Sequence, residues 1–264
     1  MINIIDIEEG NIAITLSGGA DSSIVYYAIC EKYKNNPNVN IIPCTSISTV
    51  RDWYFHFARN IILIVGELTN KYPLEHLTLK VDEQHWVDKI KITNFKKNQL
   101  QRLYEEDYDV DLYRGGWNGQ QTLIKKAIEK YNVVESYDGI TYNPNIQKMT
   151  SYFQKNYKKL NLDLDKVMEG IERRNKDRDS ENSTEWWQNY KSTRGSPLCD
   201  KEDVYEAYKF YNVLETLYPY TWSCMRISWS RFPETGYTTE ELNNLEHCGY
   251  CWFCLERWFA FGKL

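Results

Sequence analysis

A three-layer α/β domain built on a parallel sheet, followed by a cysteine-bearing helical region, is the fold class this sequence predicts. Three observations carry that expectation. Strand-like and helix-like apolar runs alternate through the first part of the chain, two consecutive glycines (Gly18 and Gly19) sit at the first junction between them, and four cysteines fall close together late in the sequence.

Each element has its own warrant. NIAITL (11–16) is a short apolar run of core-strand type, and SSIVYYAICEKY (22–33) is long enough for the helix after it. NVNIIPCTSIS (38–48) predicts a second strand and DWYFHFARNIILIVGELTNKY (52–72) a long helix, with LEHLTLKV (74–81) as a third strand. Farther on, NGQQTLIKKAIEKYN (118–132) predicts a helix and VVESYDGITYNP (133–144) a strand running into a Gly- and Pro-containing loop. LDLDKVMEGIERRN (162–175) and PLCDKEDVYEAYKFYNVLETLY (197–218) are helical in pattern, and the polar stretch 175–195 between them predicts a lid or an exposed insertion. The expected division is an α/β domain over 1–200, with a helical or mobile insertion near 143–195, and a helical metal-binding region over 201–264 packed on it. There is no internal repeat.

Bulk properties narrow the classes. The chain has 264 residues, 42% of them hydrophobic, enough for one substantial core. Thirty-two basic against 37 acidic side chains give a net charge of −5, which argues against a protein that coats DNA while leaving local contact with nucleic acid open. The short charged runs 96–102 and 172–179 read as solvated faces. Twenty-one tyrosines and nine tryptophans suit cores, interfaces and base-stacking pockets alike. The opening MINIIDIEEG lacks a basic leader, and IILIVG (61–66) falls far short of the ~20 residues of a membrane span. Seven cysteines make no even disulfide framework, so the expectation is a reducing cytoplasm where clustered thiols bind metal.

The turn Ser17-Gly18-Gly19-Ala20-Asp21-Ser22-Ser23 joins a buried strand to a helix, where converging N–H groups and the helix dipole favour a phosphate. The glycines keep Cβ atoms out of its path, and Ser17, Ser22 and Ser23 offer hydroxyl donors. Asp21 suits a helix cap or a Mg²⁺ ligand. The turn has neither the lysine of G-x-x-x-x-G-K-[ST] nor the spacing of G-x-G-x-x-G. It resembles instead the SGGxDS pyrophosphate loop of the N-type ATP pyrophosphatase, or adenine-nucleotide α-hydrolase, superfamily. That resemblance implies a HUP-like fold and cleavage of ATP between its α- and β-phosphates.

Cys248, Cys251 and Cys254 form C-x-x-C-x-x-C, with Cys224 24 residues upstream of the first. Four thiolates close a tetrahedral shell around Zn²⁺; an iron–sulfur cluster, unbound core cysteines and His247 as a substitute ligand are the alternatives. Cys30, Cys44 and Cys199 stand alone and read as packed.

Taken together, SGGADS, SPLCDKEDV (196–204), TWSC (221–224) and CGYCWFCLER resemble the 7-cyano-7-deazaguanine synthase branch of that superfamily. The resemblance implies a carbon–nitrogen ligase that adenylates a carboxylate or amide on a deazapurine-like base, with ammonia as the second reactant and a nitrile as the family's product. It assigns Ser17, Gly18, Gly19, Asp21, Ser22 and Ser23 to ATP and its Mg²⁺, and Cys224, Cys248, Cys251 and Cys254 to a structural zinc. Asp21 and Lys201 become catalytic groups, and Arg257 the basic residue after the last cysteine. The chain departs from the family after the second strand, where a Gly-Gln and His-rich patch is replaced by PCTSISTVRDWYFHFARN with His56 alone.

Gly139, Thr141, Asn143 and Pro144, like Trp117 and Gln120 in GGWNGQ, suit either a ligand loop or an ordinary turn. Arg51 and Asp52 suit a ligand contact or a surface ion pair. Two further readings stay open: a nucleotide-dependent partner-binding protein on the same fold, as homodimer or in a heteromeric complex, and an adenylating enzyme for another heterocycle or nucleic acid.

Overall fold

Alternation within Ile12-Ala13-Ile14 decides how the first strand is buried. In the computed structural model, which describes residues 2–48, 53–82, 113–114, 116–139, 144–180, 200–224 and 245–264, all three side chains are wholly buried, but on opposite faces of one sheet. Ile12 and Ile14 enter the larger core with Ile24, Ala28 and Ile61, while Ala13 joins Ile42, Cys44, Leu79, Leu123 and Ala127 on the other side. A strand covered on both faces is near-continuously apolar, as this one is.

The strands are β1 (Gly10–Thr15), β2 (Val39–Ser48), β3 (Leu77–Asp82), β4 (Tyr113–Arg114) and β5 (Val133–Tyr137). Their spatial order is β4-β3-β2-β1-β5 and every neighbouring pair is parallel, with Ile12 beside Ile41, Cys44 beside Leu77 and Ile14 beside Tyr137. Helices α1 (Ala20–Tyr33) and α2 (Trp53–Thr69) cover one face and α3 (Gly116–Tyr131) the other. The expected parallel α/β architecture is therefore present. The chain steps outward from β1 to β4 and then returns to place β5 on β1's free side, so the winding reverses at β1.

The remaining helices are α4 (Ile146–Asn156), α5 (Leu164–Ser180), α6 (Lys201–Phe210) and α7 (Trp252–Phe261). Met149 and Phe153 of α4, Val167 and Ile171 of α5, and Trp252 and Leu255 of α7 form one apolar cluster. Val204, Ala207 and Tyr208 of α6 enter the main core instead, and the Tyr208 hydroxyl donates to the Ala20 carbonyl at 3.0 Å. Residues 175–180 of the polar stretch continue α5; the rest of it, 181–195, lies outside the described residues. The run 96–102, Arg51, Asp52, Thr141, Asn143 and Cys199 lie outside them too. Among the described residues, no helix is long and apolar enough to cross a membrane.

Candidate functional site

The loop after β1 sits where the sheet reverses its winding, the position at which open α/β sheets take their ligands. Leu16 leaves the strand with its N–H on the Cys44 carbonyl (2.8 Å) and its own carbonyl accepting from the Thr45 hydroxyl (2.7 Å). Gly18 then turns with φ +75°, and a Cβ there would stand 2.6 Å from Phe57 Cβ and 2.7 Å from the Ala58 nitrogen. Only glycine fits that conformation in that space. Gly19 is the N-cap of α1, extended and without a side-chain cap, so the first helical N–H groups are not satisfied by a capping side chain. The hydroxyls of Ser17 and Ser22 lie 3.2 Å apart, Ser22 Oγ accepts from the Ser17 N–H, and Ser17 Oγ accepts from the Gly19 N–H. Ser23 is wholly buried, its hydroxyl without a hydrogen-bond partner among the described residues. Gly139, just past β5, is pressed against the backbone of Ser22, which leaves no room for a side chain there.

Lys201 arrives at this loop from 180 residues away. It is the first residue of α6, whose N-cap Asp200 accepts from the N–H groups of Glu202 and Asp203 while the Asp203 carboxylate accepts from the Asp200 N–H. That reciprocal cap fixes the helix start, and with it the lysine's origin. The Lys201 ammonium donates to Asp21 Oδ2 and lies 3.6 Å from Glu256 Oε2. Burial alone would lower the lysine's pKa, but attraction and hydrogen bonds from Asp21 and Glu256 outweigh it and hold the group above its ordinary value.

Cys224, Cys248, Cys251 and Cys254 come together with all four sulfurs within 4.8 Å of one another. The Cys251–Cys254 separation is 3.5 Å, and the Cys248–Cys254 and Cys224–Cys251 separations are both 3.9 Å. Thiolates placed tetrahedrally ~2.3 Å from one Zn²⁺ would stand about 3.8 Å apart, so the donor set fits a single ion. Gly249 (φ +78°) makes the turn between the first two sulfurs of the triad. The Cys248 N–H points at Cys224 Sγ and the Cys251 N–H at Cys248 Sγ, stabilising negative charge on both. Hydrogen bonds from Cys224, Cys251 and Cys254 pull the Cys248 thiol well below its usual range. At Cys30 and Cys44 burial outweighs the hydrogen bonds they receive, from Tyr26 and the Ile14 backbone respectively, and pushes both thiols up to about 12.

The two centres touch. The Trp222 N–H donates to the Gly18 carbonyl at 2.9 Å, two residues before the first cysteine of the cluster. The Trp222 indole stacks on Phe57 at 5.2 Å and on His247 at 4.2 Å, bridging α2, the loop after β1 and the cysteine turn. His247 lies with Nδ1 3.7 Å from Cys254 Sγ. Arg257 is buried, donating to the Thr221 hydroxyl at 2.9 Å with its guanidinium 4.2 Å over the Tyr218 ring. His56 meets Asn60 at 3.1 Å, one turn along its own helix, and stands edge-on to the neighbouring Phe57 ring. Sequence reasoning missed Glu256 and the Trp222 bridge. A signal for Glu256 was present: Glu256 and Arg257 are the only charges in the otherwise apolar helix WFCLERWFAF.

No protein-family model matches the sequence, and no curated protein matches it. Among solved structures, the chain is similar to the U34-tRNA thiolase NcsA from Methanococcus maripaludis with its 4Fe-4S cluster, at 18% identity over 59% of this chain and 47% of that chain, with a TM-score of 0.29. The chain thus spans about half the length of that structure, and so loose a superposition carries no functional argument.

Proposed function

We propose that the chain is an ATP-dependent adenylating enzyme of the ATP-pyrophosphatase type, acting on a carboxylate or amide of a 7-deazaguanine-like base. One observation carries the reading: the SGGADSS loop lies at the winding reversal of a parallel sheet, with the Lys201 ammonium brought to it from the far end of the chain. An uncapped helix start, two loop glycines and a buried cation together suit a polyphosphate.

In this reading the acceptor's oxygen attacks the α-phosphorus of ATP and pyrophosphate leaves. On an adenylated carboxylate, ammonia then attacks the activated carbon, gives up a proton and expels AMP in place of a poor oxygen leaving group, which yields an amide; an adenylated amide instead loses AMP and its nitrogen protons to yield a nitrile. The loop N–H groups and Lys201 offset the charge that grows on pyrophosphate, and Ser17 and Ser22 hold the loop in shape before it is filled. Orientation and charge stabilisation are the protein's main contributions, so no nucleophilic side chain is needed. Asp21 would hold Mg²⁺, which supplies further charge neutralisation on the phosphates.

Cys224, Cys248, Cys251 and Cys254 would hold zinc. Their close spacing supports one ion, because a cubane cluster carries each thiolate on a separate iron and spreads the sulfurs wider. A four-thiolate shell leaves no open position for water, so its contribution is structural.

The test is ATP labelled in the α- and γ-phosphates, with 7-carboxy-7-deazaguanine, Mg²⁺ and ammonia, read by mass spectrometry. AMP and pyrophosphate with conversion of the base are expected. Exclusive ADP and phosphate would overturn the adenylation chemistry, and AMP formation with a different acceptor only would overturn the deazaguanine assignment.

A further inference from the structure

Lys201 faces two carboxylates, and they reach it from different parts of the fold. Asp21 belongs to the first turn of α1 and Glu256 to α7, two residues past the cysteine Cys254. The side chains of Lys201 and Glu256 are 13% and 4% exposed, so neither charge is solvated. A carboxylate that deeply buried costs several kcal/mol unless it is paired, and an apolar residue would fit the surrounding helix more cheaply. Its retention in a run of Trp, Phe and Leu therefore calls for a specific task.

The proposed chemistry supplies one, and the inference rests on that reading. Asp21 meets Lys201 through Oδ2, and a Mg²⁺ taken on its other oxygen would draw charge from that contact and loosen its hold on the ammonium. With a magnesium–polyphosphate bound, a second carboxylate on the lysine would keep its long side chain at the loop. Glu256 is in place for this, at 3.6 Å from the ammonium.

We propose that Glu256 is a positioning residue for the phosphate loop: carried on the cysteine-bearing helix, it keeps Lys201 aimed at the loop where Asp21 would share its carboxylate with a bound cation. The cysteine centre thereby sets where the loop's lysine stands, without taking part in the chemistry. Replacing Glu256 leaves the lysine with one partner that has two tasks.

The experiment uses the full chain as wild type, Glu256→Gln, Glu256→Asp, Lys201→Met and the Glu256→Gln/Lys201→Met double variant, each checked for metal content and thermal midpoint. Binding of magnesium pyrophosphate is measured by calorimetry. Independently of any ligand, acetylation of Lys201 by an N-hydroxysuccinimide ester in the presence of Mg²⁺ is followed by peptide mass spectrometry. Glu256→Gln is expected to weaken pyrophosphate binding about tenfold and to speed Lys201 acetylation, while adding nothing to the loss caused by Lys201→Met. Glu256→Asp, which keeps the charge, is expected to recover part of both effects even if the glutamine variant folds poorly. Additive losses in the double variant, or unchanged acetylation of Lys201 in Glu256→Gln, would overturn the positioning role. A wild-type protein that binds no pyrophosphate would sink the phosphate-loop reading instead, and the acetylation rates would still decide the place of Glu256.

Discussion

The two loop glycines make opposite demands, and exchanging each for alanine separates them. At Gly18 the backbone is left-handed (φ +75°), which costs a non-glycine residue about 1–2 kcal/mol. The added methyl would also lie 2.6–2.7 Å from Phe57 Cβ, the Phe57 carbonyl carbon and the Ala58 nitrogen, most of it backbone that cannot swing aside. Overpacking of that kind adds about 1–3 kcal/mol, for a total near 2–5 kcal/mol. In a chain of this size that is a fall in Tm on the order of 10 °C. At Gly19 φ is −75° and the nearest atoms to a new Cβ are the Ser17 and Ser223 hydroxyls, both at 3.4 Å. The fold should lose about 1 kcal/mol or less there, the difference between glycine and alanine at an N-cap. The methyl would nonetheless stand at the helix start where phosphate is expected. Thermal melts and pyrophosphate calorimetry on both variants therefore predict a crossed pattern: Gly18→Ala loses stability, while Gly19→Ala keeps it and loses binding. A Gly18→Ala protein that melts with the wild type, or a Gly19→Ala protein that binds as tightly, would refute the geometry.

Three further outcomes are expected. Cys251→Ser should release the bound metal and lower solubility and Tm more than it alters any residual turnover, since a structural Zn²⁺ is worth on the order of 10 kcal/mol of folding free energy; elemental analysis of anaerobically prepared protein checks it, and stoichiometric iron with sulfide would replace zinc by a cluster. Burial, aided by Arg59, lowers the His76 pKa to about 4, and its Nε2 lies 2.8 Å from the Thr45 hydroxyl. The unfolded chain, with a histidine pKa near 6.5, therefore binds more protons between those values. Stability is full above pH ~6.5 and falls by about 3 kcal/mol as pH drops towards 4. Urea titrations at pH 7 and 4.5 should show this, and His76→Asn should flatten the dependence. Cys30 and Cys44, buried with raised pKa values, should resist iodoacetamide in the native protein at pH 8 and react only after unfolding; labelling of either in the folded state would contradict their packing.

Local chemistry was legible in the sequence because it repeats at short range. The strand–turn–helix around Gly18, the C-x-x-C-x-x-C spacing and the apolar run of β1 each span a few residues, and the structure carries all three. The Asp200-to-Asp203 cap is equally local and is visible as an acidic residue three positions after an acidic N-cap. What could not be read were the meetings between distant segments. Nothing near Trp222 announces that its backbone N–H will close on Gly18, and Glu256, conspicuous as a charge in an apolar helix, gives no sign of its lysine partner until α7 is docked beside α6. Pro43 is a local signal that misleads: it lies inside β2 and pairs with Ile14, where a missing N–H would ordinarily argue against a central strand. Helix α5 likewise runs to Ser180, into a stretch whose polarity suggested a loop, because its apolar residues Val167 and Ile171 anchor it on the α7 side.

The span between Asp21 and Lys201 also has a consequence in time. A ribosome adding roughly 5–20 residues per second needs on the order of 10–40 s to go from one to the other, and longer to reach the tryptophan that closes on Gly18. Through that interval the emerging chain carries Asp21 without the lysine that pairs with it in the folded protein. Pairing across so wide a loop is slow to nucleate, so the last stage of maturation should be the docking of the C-terminal helices. A cell short of the metal would then accumulate chains with a finished sheet and an unfinished site, open to proteases at the tail while the N-terminal half is already protected.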